Sequence, residues 1–148
     1  MVKRRFLGDF VVYHTHSSLF VCGGFRKSNF SSSDLISFDC MGNHTMWSAM
    51  SVPRQQASVT GFGEYLIASG GSCEIENANK SKGIKWENKT VEILCTKSNR
   101  WRFLPDMERK RLAHASVVLN HSMLYLIDSS NFLLLNLECP YRWTVLAV

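Results

Sequence analysis

Tyr65-Leu66-Ile67-Ala68-Ser69-Gly70-Gly71 is a short apolar run that stops at two glycines. A strand ending this way can lead into a phosphate-cradling loop, but that use needs a helix N-terminus behind it, with further glycines and a lysine. A polar stretch and another β-branched run follow Gly71 instead. The pair therefore serves close backbone approach or positive φ. Repetition supports this reading. Leu19-Phe20-Val21-Cys22-Gly23-Gly24 has the same form, and Tyr125-Leu126-Ile127-Asp128-Ser129-Ser130 keeps the strand and loses the glycines.

Each copy is preceded by another apolar run: Phe10–Tyr13, Ala57–Thr60 and Ala115–Leu119. The stretches between are rich in Gly, Asn, His and Ser, which marks three β-hairpins. After each hairpin come a polar loop and a third run: Asp34–Phe38, Thr90–Leu94 and Phe132–Leu137. The second of these alternates, which places Glu92 on the outward side. Trp47, Trp101 and Trp143 follow, each with Met50, Leu104 or Leu146 three residues on, as expected of a short outer strand. Arg5, Arg54 and Arg111 open the three units. The intervals Arg5 to Gly23 and Arg111 to Ser129 match, since 23 − 5 and 129 − 111 are both 18. The chain thus divides into repeats over about 5–53, 54–110 and 111–148. The second carries a polar insert over 72–89 that contains Trp86, and the third has its corresponding loop almost deleted. No helix is required anywhere.

In this arrangement the sequence resembles the kelch-repeat β-propeller family over almost its whole length. The double glycines, the spaced tryptophans Trp47 and Trp101, and Trp101-x-x-Leu104-Pro105-x-Met107 carry the likeness. So does Arg111-Leu112-Ala113-His114-Ala115 running into Leu124-Tyr125-Leu126-Ile127. A third of 148 residues is about 49, near the kelch period of about 50. The expected fold is all-β: a partial propeller of about three four-stranded antiparallel blades. Inner strands covered on both faces read as continuous apolar runs. The tryptophans are expected to fill the widening gaps between blades. Closed propellers have four to eight blades, so three units imply a fragment, a truncated product or one half of an assembly. Exposed end faces imply poor solubility or self-association.

Composition narrows the function. A hydrophobic content of 45% argues for a folded core, and no apolar run approaches the length of a membrane span. Five cysteines, Cys22, Cys40, Cys73, Cys95 and Cys139, form no C-x-x-C pair and read as reduced thiols of a cytoplasmic protein. Five N-x-S/T matches, at Asn29, Asn43, Asn79, Asn88 and Asn120, pull the other way, but no secretory signal accompanies them. A formal charge of +5 favours acidic partners. The basic residues are too scattered for nucleic acid, and no nucleic-acid module appears.

The residues indicate no catalytic apparatus, metal or cofactor. His14 and His16 sit in a hairpin turn, away from the strand residue Cys22, and lack zinc spacing. His114 has serines nearby but no triad pattern. Oxidases that share the architecture use copper with Tyr, His and a cross-linked Cys, a constellation not found here. Binding remains. The resemblance implies contacts from the loops after the double glycines and from residues entering the innermost strands. It nominates Phe25, Arg26, Lys27 and Ser28; Ser72; Arg54, Gln55 and Gln56; and Arg111 with His114. Arg26 and Arg54 are the leading candidates, because guanidinium groups ringing a pocket take acidic peptide carboxylates in bidentate fashion. The resemblance also implies a setting, substrate recruitment for a cullin-type ubiquitin ligase. There BTB and BACK domains precede the propeller, and actin-associated scaffolding is the other binding use.

Overall fold

The structure, a computed structural model, describes residues 8–25, 30–75, 83–129, 131–139 and 142–146. Strands β1 (Gly8–His14), β2 (Ser18–Phe25), β3 (Leu35–Asp39) and β4 (His44–Met46) form the first sheet in chain order. Next come β5 (Ser58–Phe62), β6 (Tyr65–Ser69), β7 (Ser72–Ile75), β8 (Ile84–Glu87), β9 (Val91–Cys95) and β10 (Arg100–Leu104). Of these, β5-β6-β9-β10 make the second four-stranded sheet, and β7-β8 stand apart as a hairpin. The third sheet is β11 (Ala115–Leu119), β12 (Met123–Ile127), β13 (Phe132–Asn136) and β14 (Thr144–Leu146). Every pairing is antiparallel and the described residues contain no helix. These are three blades of a β-propeller, too few to close a ring.

Turn chemistry sets each inner hairpin. Gly63-Glu64 joins β5 to β6 in two residues, with Gly63 at φ 52°. Asn120-His121-Ser122 joins β11 to β12 in three, with Asn120 and His121 both at positive φ. Four residues, Thr15–Ser18, separate His14 from Leu19, the last β1–β2 pair, and the Thr15 hydroxyl accepts from Ser18 N at 3.1 Å.

The cores lie between blades. Along β6, Leu66 and Ala68 face blade 1, where they meet Phe20, Cys22, Leu35 and Met50. Ile67 faces blade 3, with Ile93, Leu124, Leu126, Leu133 and Leu135. Both faces of β6 are dry, which is why this strand is apolar without alternation. The outward placing of Glu92 fails for the same reason. Its side chain is wholly buried and turns toward blade 1. Period-two alternation distinguishes the two faces of a strand; it does not say which face meets water.

The third repeat is aligned one residue from where the sequence pattern put it. Gly23 N donates to Asp34 O, Gly70 N to Thr90 O, and Asp128 N to Asn131 O. The equivalent of Gly70 is therefore Asp128, and Asp128-Ser129 replaces the glycine pair. Counting residues from the arginines missed this because the hairpin turns differ in length. A one-residue slip exchanges the faces of a strand, so Leu126 points to the core and Tyr125 away from it. The glycines themselves have a clear use. A Cβ at Gly23 would lie 2.4 Å from Arg54 O, and one at Gly70 would lie 2.6 Å from Arg111 O.

The tryptophans do less filling and more tying than expected. Trp47 follows β4, Trp101 lies within β10 and Trp143 precedes β14; all three are half-buried. Trp101 Nε1 donates to Ser48 O in blade 1 at 2.8 Å, and Trp143 Nε1 donates to Pro105 O in blade 2 at 2.9 Å. Trp101→Phe keeps one aromatic ring but removes the donor and part of the packed indole, so it should cost about 1–3 kcal/mol in urea unfolding. An unchanged midpoint would show that Ser48 O is as well served by water.

The segment after Gly71, expected to be a polar loop, is built as the β7–β8 hairpin. Its signal was the alternation Cys73-x-Ile75 and Ile84-x-Trp86, short enough to be taken for loop.

Candidate functional site

The rim carrying the double glycines gathers most of the residues nominated for binding. The second and third units enter their innermost strands through an arginine whose carbonyl faces the preceding blade. Gly24 N donates to Arg54 O at 2.7 Å, and Gly71 N donates to Arg111 O at 2.8 Å. The side chains then turn back into their own blades. Arg54 Nη1 donates to Gly70 O (2.7 Å) and Thr90 O (3.0 Å), and Nη2 donates to Thr90 Oγ1 (2.8 Å) and Glu92 Oε1 (3.0 Å). Arg54 and Glu92 are both completely buried. The Glu92 carboxylate also accepts from Ser51 N at 2.8 Å and Val52 N at 3.1 Å, which ties the linker between blades 1 and 2 to β9. In blade 3, Arg111 pairs with Asp128 and donates to Asn131. Asn131 stands where Thr90 stands in blade 2.

These placements correct the picture of arginines around an open pocket. Arg54 and Arg111 are 0% and 2% exposed, and their guanidinium groups already hold acceptors. A carboxylate from outside reaches neither. Ser72 and Gln55 are buried in a backbone bridge, in which Gln55 N donates to Ser72 O at 2.9 Å and Ser72 N returns the bond at 2.8 Å. His114 is buried too. Its Nε2 shares a 2.8 Å hydrogen bond with Ser69 Oγ, and Nδ1 has no partner among the described residues. Burial, with Arg111 and Arg54 nearby, holds its pKa down at about 4, so the ring is neutral at pH 7. Gln56 is exposed and donates to Asp9 Oδ2 at 3.2 Å, and Phe25 is half-buried. Arg26, Lys27 and Ser28 lie outside the described residues, as does Arg5. Cys22 lies in the blade 1–2 core, 3.5 Å from Met50 Sδ, and burial raises its thiol pKa to about 12. It cannot join His14 and His16, which line a shallow surface cavity at the opposite end of the blade.

What the rim exposes is the hairpin. Strand β7 is pinned at its base by the Gln55–Ser72 bridge and flanked by blade 1. Ser31 N donates to Glu74 O (2.8 Å) and Glu74 N to Ser31 Oγ (2.7 Å). Ile75 pairs with Ile84 and Cys73 with Trp86, so the four side chains share one face. Cys73 is buried at the foot of that face, whereas Ile75, Ile84 and Trp86 are 38%, 51% and 37% exposed. Among the described residues β8 pairs only with β7, which leaves its outer edge open.

No protein-family model matches the chain, and no curated protein matches it. Among solved structures, YjhT is similar, with a TM-score of 0.71 at 15% identity over 94% of this chain and 45% of that one. The likeness is one of fold, and the present chain spans less than half the length of YjhT. No helix among the described residues is long and apolar enough to cross a membrane.

Proposed function

We propose that the chain is a protein-binding module of the kelch-repeat type whose contact surface is the β7–β8 hairpin on the double-glycine rim. One observation carries this reading: a rim loop has been extended into a braced strand pair that presents Ile75, Ile84 and Trp86 to solvent. Exposed apolar side chains beside an unpaired strand edge suit strand addition, in which backbone bonds supply affinity and side-chain pockets supply selection. The partner is therefore an extended protein segment with apolar residues at alternate positions. The chain's charge of +5 favours an acidic partner as a whole, while on the hairpin itself Glu74 and Glu87 stand beside Lys85. The kelch resemblance supports substrate recruitment for a cullin-type ubiquitin ligase in the cytoplasm as the setting.

The test is site-specific photocrosslinking in cells. A photoreactive residue at Trp86 should give a defined adduct in a complex that also contains a cullin, and Ile84→Glu should reduce the adduct at least tenfold without moving the unfolding midpoint. Equal adduct yield from a photoreactive residue at Lys110, away from the hairpin, would remove the hairpin as the binding surface.

A further inference from the structure

A second concavity lies at the end of blade 2 opposite the double glycines. Strands β6 and β9 pair with Tyr65 beside Cys95 at that end and Ser69 beside Val91 at the glycine end. Tyr65, Cys95, Ser98, Arg100, Trp101 and Arg102 line a cavity of about 370 Å³ there. A neighbouring cavity of about 150 Å³ shares Tyr65 and Arg102 and continues to Phe62 and Glu138. The larger space is already within the size range of small-molecule sites.

The walls differ in character. Arg100 pairs across the sheet with Cys95 and Arg102 with Ile93, so both arginines rise from the face of β10 that turns toward blade 3. Two residues apart on one strand, they are about 7 Å from each other at the backbone. Neither has an ion-pair or hydrogen-bond partner among the described residues. The acid at this end, Glu64, is taken by Lys97 at 2.5 Å. The aromatic wall is fixed in advance. Tyr65 pairs with Cys95 and so lies on the same face as the arginines, where it stacks on Phe62 at 5.2 Å. Glu138, at the far end of the neighbouring cavity, gives the groove a polarity, repelling an anion there and leaving the Arg100–Arg102 end to receive it.

We propose that this groove binds a small aromatic anion, with its carboxylate or phosphate held by Arg100 and Arg102 and its ring against Tyr65. Paired guanidinium groups match either oxyanion. The site is independent of the hairpin, with which it shares no residue.

Amide-resolved NMR titration tests it with phenyl phosphate and benzoate, alongside inorganic phosphate and benzyl alcohol as the two halves of the ligand. Phenyl phosphate or benzoate should shift the amides of Cys95 to Arg102 and bind at least tenfold more tightly than either half. The better of the two identifies the oxyanion. Arg100→Ser with Arg102→Ser should weaken binding at least tenfold, whereas Lys110→Ser and Ile84→Glu should leave it unchanged. The same spectra report whether each variant is folded, and both arginines are exposed enough to be removed safely. Inorganic phosphate binding as tightly as phenyl phosphate would overturn the proposal, as would undiminished affinity in the folded double variant.

Discussion

Replacing Glu92 by alanine should destabilise the chain by about 3–5 kcal/mol, the usual consequence of removing one member of a buried ion pair. The buried carboxylate satisfies one guanidinium and two backbone amides. Without it Arg54 is a buried, uncompensated cation, and Ser51 N and Val52 N lose their acceptor. Arg54→Met should cost a comparable amount. The double variant Arg54→Met, Glu92→Leu should recover much of the loss, because an apolar pair needs no desolvation of charge. Urea unfolding of the parent, Glu92→Leu, Arg54→Met and the double variant forms a thermodynamic cycle. Single variants within about 1 kcal/mol of the parent would show that the pair does not hold the junction between blades 1 and 2.

The second large effect is on acidification. His114 is neutral in the folded chain, with a pKa of about 4 against an ordinary value of 6.5. Burial is the main cause, followed by Arg111 and then Arg54. Between these values the unfolded chain takes up a proton that the folded chain refuses. Stability is therefore fully present above pH 6.5 and is lost as pH falls toward 4. At about 1.4 kcal/mol per pH unit, the loss attributable to this ring is about 3 kcal/mol at most. Carboxylates titrate over the lower part of the range, so the informative quantity is the difference between the parent and His114→Gln. The variant should start less stable at pH 7, having lost the bond to Ser69, and should change less between pH 6.5 and 4. Parallel stability curves would mean that His114 does not refuse the proton.

The repeats were legible because a propeller blade leaves the same local marks each time. Glycines sit where the next arginine carbonyl passes within 2.4–2.6 Å of a Cβ, and hairpin turns separate apolar runs. The site was less legible, for a physical reason. Arg54, Arg111 and His114 are polar residues at loop positions, and polarity there ordinarily means water. The acceptors that bury them lie far along the chain, with Glu92 38 residues from Arg54 and Ser69 45 from His114. No spacing rule connects those pairs.

Local chemistry alone therefore determined three four-stranded units without helices, because turn residues and apolar runs act through near neighbours. Tertiary packing decided which face of each strand is dry, since that depends on whether another blade covers it. It turned Glu92 inward, set the third repeat one residue from its apparent alignment and closed the rim arginines off from solvent. It also left the hairpin apolar face and the Arg100–Arg102 groove open.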